Sequence, residues 1–305
     1  MEDYLTELAQ NNETIKTSTL LEFSGISGEE LEDFCNIWKN IPGSIKVKIL
    51  TRLNELAEFD VQLDFTNICK ASLSDAEPIV RKAALDGLWE LQDRTFIKPL
   101  ISILLDDSDS EVRSAAAISL SSFARLNQNG KLINRDAKKI FDALIEIVEK
   151  EGENYNVLRR TIEAIGYFYD NRVDDILNRF HRSENPLLRQ SAIFAMGRNS
   201  KQKWLNLILK DLRDENPAIR FESLNALGFL GDESTVSEII PFTKDPDIQI
   251  KIAALTSLGY LGGELAKREI LTWTEDDDEN IREVAISALT NIDFEEDPLG
   301  LRFSE

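Results

Sequence analysis

The chain has 305 residues, 42% of them hydrophobic and 30% charged, with a formal net charge of -20 and only two cysteines. That composition suits a water-soluble protein with a sizeable core, and no apolar run approaches the ~20 residues a membrane-spanning helix needs. Cys35 and Cys69 are too few for a disulfide framework or a cysteine-rich metal site, and they fit buried thiols in a reducing cytoplasm.

The opening "MEDYLTELAQ" lacks the basic-then-apolar layout of a signal peptide. Residues 1–40 hold nine Asp/Glu against two Lys/Arg, and residues 274–305 hold eleven against two. The acidity therefore sits at the two ends, where it favours solubility and opposes end-to-end association. The near-neutral middle has no basic stripe of the kind that nucleic-acid binding requires.

Residues 1–40 read as an acidic helical cap. "GEELEDFCNIWKN" places Leu31, Phe34, Cys35 and Trp38 at helical spacing, ready to dock on the first apolar face that follows. From residue 41 to 293 one phrase recurs. Aligned on a basic column, it places Lys46, Arg81, Arg113, Leu158, Arg189, Arg220, Lys251 and Arg282 in register, and the last four intervals are 31 residues each. A longer interval holds "LNQNGKLINRD", residues 126–136, expected to be a loop insertion. A fixed period of this length is the mark of a stacked repeat.

Each column has a physical reading. Four residues before the basic position stand Glu77, Asp109, Asn154, Asn185, Asn216, Asp247 and Asp278, which are helix N-caps by type. Pro78, Pro186 and Pro217 follow directly, at the first helical position, where a missing N–H costs nothing. Ile45, Val80, Val112, Val157, Leu188, Ile219, Ile250 and Ile281 precede the column, and Leu53, Leu88, Leu120, Ile165, Met196, Leu227, Leu258 and Leu289 lie seven after it. Together they make one buried stripe. Small residues at plus three and plus six, with Gly166, Gly197, Gly228 and Gly259 at plus eight, permit close helix approach or a helix stop. Segments such as "FIKPLISILLDD", "WLNLILKDL" and "VSEIIPFTKD" supply a first helix before each capped one. The expected fold is all-α, an α-solenoid of about eight stacked antiparallel helix pairs. The acidic tail, residues 294–305, follows the last clear helix.

The pattern D-x-[DEN]-P-x-[VI]-R-x-x-A-[LI]-x-[AS]-L-G-x-L-G resembles the HEAT repeat in its bacterial form, that of the phycobilisome-lyase proteins. The resemblance covers roughly residues 41–293 and is clearest over 183–290. It implies an Asp–Arg ladder between stacked repeats, with matching pairs Asp75 and Arg81, Asp107 and Arg113, Asp214 and Arg220, Asp245 and Lys251, and Asp276 and Arg282. Gly152 and Leu158 break that pattern, and Arg189 faces Ser183, so weaker or altered joints are expected there.

Such repeats specify a fold far better than a function. Similar proteins include a deoxyhypusine hydroxylase, with His–Glu metal ligands, and bilin lyases. Here His181 is the one histidine and Arg182 follows it, a poor basis for a metal site or a catalytic triad. No residue marks a bilin site. The expectation is a non-catalytic scaffold or adaptor, monomeric and cytoplasmic, without cofactor, that binds a protein or peptide. An enzyme or enzyme subunit like a bilin lyase or deoxyhypusine hydroxylase is the alternative.

Helical phase locates the binding face. Positions two, five and nine after the basic column lie opposite the stripe, on a surface expected to be concave. Arg159, Arg160, Tyr167, Phe194, Arg198, Phe221, Asn225, Phe229 and Tyr260 on or near that face are the candidate partner-binding residues, rich in aromatics and arginine. Residues 155–203 also carry nine Lys/Arg against five Asp/Glu, an excess suited to an acidic partner.

Overall fold

The computed structural model describes residues 16–88 and 91–296. The expectations for residues 1–15 of the cap and 297–305 of the tail lie outside the described residues. Among the described residues there are seventeen α-helices and no strand. No helix among them is long and apolar enough to cross a membrane. The chain forms two compact units, Met1–Ala164 and Ile165–Glu305.

The first unit opens with Thr17–Leu21 and Gly28–Trp38. Of the stripe expected on the latter, Phe34 and Trp38 are buried and Leu31 and Cys35 half-buried. Phe34 stacks on Trp38 at 5.0 Å and meets Phe23 edge-on at 5.6 Å. The capped helices follow as Gly43–Phe59, Pro78–Asp86, Ser110–Gln128 and Tyr155–Ile165, with Thr66–Ser72, Ile97–Asp106 and Asn134–Glu149 between them. In the second unit the capped helices are Pro186–Asn199, Pro217–Leu230, Ile248–Leu261 and Glu279–Glu296. Each packs on the next. Their first-helix partners are Asn171–His181, Leu205–Asp211, Val236–Ile239 and Gly263–Leu271. Pro241 cuts the third of these short and turns its remainder, Ile240–Lys244, into a 3₁₀ segment.

The predicted stripe is the core. All eight residues preceding the basic column are buried, and so are the residues at plus seven except Leu289, which is half-buried in the last helix. Six of the seven predicted caps are made. Asp109, Asn154, Asn185, Asn216, Asp247 and Asp278 each accept the N–H two residues on, at 2.8–3.0 Å. Glu77 does not cap, because its longer side chain reaches across to Gly43.

Within the insertion at 126–136 the loop is confined to residues 129–133, and the residues on either side are helical. Ser110–Gln128 runs for 19 residues and Asn134–Glu149 for 16, leaving only a turn with Gly130 at φ 69°. Phe123 and Ala124 continue the buried stripe, so the extra residues prolong the helix.

The ladder forms with a different pairing. Arg81 and Arg113 split their hydrogen bonds between two repeats. Arg81, Arg113, Arg220 and Arg282 donate to the backbone carbonyl of their own Asp75, Asp107, Asp214 and Asp276 at 2.7–2.9 Å. In the first unit the carboxylate partner belongs to the following repeat: Lys46 holds Asp75 at 2.7 Å, Arg81 holds Asp107 at 2.8 Å, and Arg113 holds Glu153 at 2.5 Å. Glu153 thus takes over from the missing Asp at Gly152. In the second unit Arg189 grips both Asp211, at 2.5 Å, and Asp214, at 2.6 Å, so of the two outcomes expected at this joint the structure shows the altered one. Ser183 fills the aspartate's other task, accepting the Asn185 N–H at 3.2 Å. Further on, Arg220 holds the carbonyls of Asp214 and Glu215, and Lys251 lies over the Trp273 ring at 4.7 Å.

Between the two roles proposed for the plus-eight glycines, the structure selects close approach. A Cβ on Gly197 would stand 2.8 Å from the Ala226 Cα, and one on Gly259 the same distance from the Ala288 Cα. The small residue at plus six of one helix therefore sits in the glycine notch of the helix before it.

Candidate functional site

The second unit carries a cleft of about 270 Å³ lined by Phe194, Arg198, Glu222, Asn225, Phe229, Thr256 and Tyr260, with Ala226 at its floor. Its walls come from three consecutive capped helices, Pro186–Asn199, Pro217–Leu230 and Ile248–Leu261. The lining positions are those two, five and nine after the basic column, so helical phase turns them away from the stripe in each repeat.

Aromatic packing orders the cleft. The Arg198 guanidinium lies 5.1 Å from the centre of the Phe194 ring and 3.8 Å from that of Phe229. Phe229 in turn meets Tyr260 at 5.3 Å between ring centres, with a 32° tilt. Phe229 and Tyr260 nevertheless remain 40% and 52% exposed. A guanidinium held between two rings loses rotamer freedom without losing its charge, and the row presents flat apolar faces to solvent.

The predicted residues divide into four groups. Phe194, Arg198, Asn225, Phe229 and Tyr260 come together in the cleft. Phe221 is half-buried and stands outside the lining. Tyr167 is buried at 8% exposure, because its helix ends at Ile165 and position nine falls in the turn beyond it. Arg159 and Arg160 belong to the first unit, where Arg160 pairs with Glu163 at 2.8 Å.

A second cleft, of about 160 Å³, shares Thr256 and Tyr260 and adds Gly259, Val284, Ser287, Ala288 and Asn291. Val284, Ser287 and Asn291 were missed in the sequence, although they occupy the same three columns in the last repeat. Carrying the phase one period further would have found them.

Several basic residues of the 155–203 stretch are held in ion pairs. Besides Arg160 and Arg189, Arg172 meets Asp170 at 3.0 Å, and Lys201 and Lys203 share Asp174 at 2.7 and 2.5 Å. Burial works to raise the Asp174 carboxyl, but the two ammonium groups outweigh it and hold it below the usual carboxylate range.

His181 is also engaged, its Nε2 2.6 Å from the buried Asp211 carboxylate that Arg189 grips from the other side. Among the described residues no group of three or more His, Cys, Asp or Glu side chains is placed to hold a metal ion. The buried Asn199 was not anticipated. It donates to the Gly166 and Phe168 carbonyls at 3.0 Å each and accepts the Trp204 indole N–H at 3.3 Å, tying the rear of the cleft-bearing helix to the turn before it.

Comparison with known proteins agrees with this architecture. A family model of HEAT repeats matches residues 66–133 and 173–241. Among solved structures, YibA of E. coli is 18% identical, with 92% of this chain and 99% of that one covered at a TM-score of 0.50. The CpcE–CpcF complex of phycocyanin lyase from Nostoc is 15% identical over 74% of this chain and 94% of its own, at 0.51. A structure of Kap95p with RanGDP is 13% identical over 96% of this chain and 46% of its own, at 0.52. At these identities the likeness is one of fold. No curated protein matches the chain in sequence. With its 31-residue period, its capped and notched helices and its Arg ladder, the chain carries HEAT repeats, matched over residues 66–133 and 173–241.

Proposed function

We propose that the chain is a non-catalytic binding module that takes a protein or peptide segment in the aromatic cleft of its second unit. The observation that carries this reading is the exposure of Phe229 and Tyr260 beside Arg198, in columns that the core does not use. Aromatic rings and arginine are the side chains that anchor interfaces most often, and here they converge where the scaffold has no need of them. CpcE with CpcF, and Kap95p with RanGDP, are HEAT-like folds found in protein–protein complexes, which supports the same reading.

The test is affinity capture with the intact chain and with Phe229→Ala plus Tyr260→Ala. Both side chains are exposed, so the variant keeps its melting temperature. A partner retained by the parent and lost by the variant supports the cleft. Equal retention discards it, and stoichiometric iron or a bound tetrapyrrole in the purified chain replaces the binding module with an enzyme.

A further inference from the structure

The last helix, Glu279–Glu296, offers a face that its predecessors cover. Four residues after the basic column stand Ile193, Leu224, Leu255 and Ile286. The first three are completely buried, whereas Ile286 is 53% exposed. Phe294, two turns further along the same side, is 60% exposed. Glu283, Ile286, Thr290 and Phe294 follow one another at intervals of three, four and four, so they make one continuous stripe. All four are exposed. None of them lines either cleft, and this surface is separate from the one described above.

Two features define what fits there. At plus eight the last helix has Thr290 in place of glycine, and its hydroxyl donates to the Ile286 carbonyl at 2.9 Å. The notch that admits a further repeat at close range is therefore filled. Residues 275–296 also carry nine carboxylates against the single Arg282, and Glu275, Asp277, Glu279 and Glu283 are exposed around the stripe. A second copy would bring the same negative charge to the same face and be repelled.

We infer that this end face is a docking surface for an amphipathic helix of a partner protein, with apolar side chains on one side and Lys or Arg along its edges. The face continues the stacking surface that a helix covers in every earlier repeat of the unit, which argues for a helical occupant. Its acidic surround selects the sign of the partner's charge.

The probe is a labelled peptide of about 18 residues, made of Leu and Lys with leucines at helical spacing, titrated onto the full chain by fluorescence anisotropy. A scrambled peptide of equal composition is the control. Binding at low salt is expected, with at least a ~10-fold loss for the scrambled peptide and for either Ile286→Asp or Phe294→Ser, and no change for Ile248→Ser. Both altered side chains are exposed, so circular dichroism melting reads the same as for the parent. Equal binding of the scrambled peptide, or by the Ile286 and Phe294 variants, overturns the inference, since charge alone then explains the contact. Sedimentation as a dimer that Ile286→Asp dissolves overturns it in favour of a second copy. Binding only by a chain ending at Glu296 overturns it in favour of residues 297–305.

Discussion

Gly197→Ala and Gly228→Ala change the same column in neighbouring repeats, yet the packing assigns them different outcomes. At position 197 the new methyl would stand 2.8 Å from the Ala226 Cα and 2.9 Å from its Cβ. Carbon atoms rest at about 3.5–4.0 Å, so the two helices must separate by most of an ångström. Overpacking of that kind costs about 1–3 kcal/mol. Alanine returns about 0.8–1 kcal/mol through its better helix propensity. At position 228 the nearest atoms, the Ser257 Cα and Oγ and the Tyr260 ring, are all 3.3 Å away. A shift of a few tenths of an ångström accommodates the methyl there, and the propensity gain is largely kept. Gly228→Ala is therefore expected at the parent's stability or up to about 1 kcal/mol above it, and Gly197→Ala up to about 2 kcal/mol below it. Urea unfolding followed by circular dichroism, with midpoints compared at equal slope, measures the difference. Equal midpoints, or a Gly197→Ala chain more stable than Gly228→Ala, would refute the notch and return these glycines to the role of helix terminators.

Three further expectations follow from the ladder and the thiols. Asp75→Ala strands Lys46, whose side chain is 7% exposed, and should cost about 3–5 kcal/mol; Arg52→Ala, which breaks the exposed pair with Glu55, should stay within about 0.5 kcal/mol in the same unfolding assay. Burial raises the carboxyls of Asp107 and Asp214, but Arg81 and the Asp109 N–H for the first, and the Asn216 N–H and Arg189 for the second, hold both below the usual range. A folded carboxyl lowered in this way stabilises the protein above its unfolded value near pH ~4 and loses that contribution as pH falls through the folded one. An acid titration of ellipticity should therefore show the Arg81→Met midpoint moved to higher pH than the parent's, and an unmoved midpoint contradicts the rung. Burial pushes the Cys69 thiol up to about 12, with the Asp64 charge adding to it, while Cys35 is raised mainly by its partial burial. A chromogenic disulfide reagent at pH 8 should titrate Cys35 in the native chain and Cys69 only after unfolding; fast reaction of both would show that the Cys69 site opens.

What could be read from the residues, and what could not, divides along a physical line. Helical phase is a property of one segment. It was enough to place Val112, Leu120 and Leu227 in the core, and Phe194, Asn225 and Phe229 on one face away from it. The same holds for the caps, since Asn216 needs only the N–H two residues ahead. Glu77 shows the limit: its position is right, but its extra methylene sends the carboxylate to another helix. Tyr167 fails for a related reason, because phase has meaning only where the helix persists, and this one ends at Ile165.

The ladder lies on the other side of that line. A spacing of six residues identifies Asp75 and Arg81 as belonging together, and they do touch, through a backbone carbonyl that no side-chain pattern reveals. The carboxylate partner is chosen by which repeat stacks next, so Arg81 reaches Asp107, 26 residues away, and Arg113 reaches Glu153, 40 residues away across the longer interval. The arginine is thus shared between holding its own turn and gripping the next. Where the next carboxylate is out of place by one residue, as at Gly152, a glutamate beside it with a longer arm restores the rung. The scaffold tolerates that kind of drift because each joint needs a charge within reach and not a particular residue. The cleft does not share this tolerance: Arg198 must reach both Phe194 and Phe229, and the phase of two successive helices sets that geometry. Residues that recur are therefore held by the stack, and the residues that differ from repeat to repeat along the plus-five and plus-nine columns are free to carry recognition.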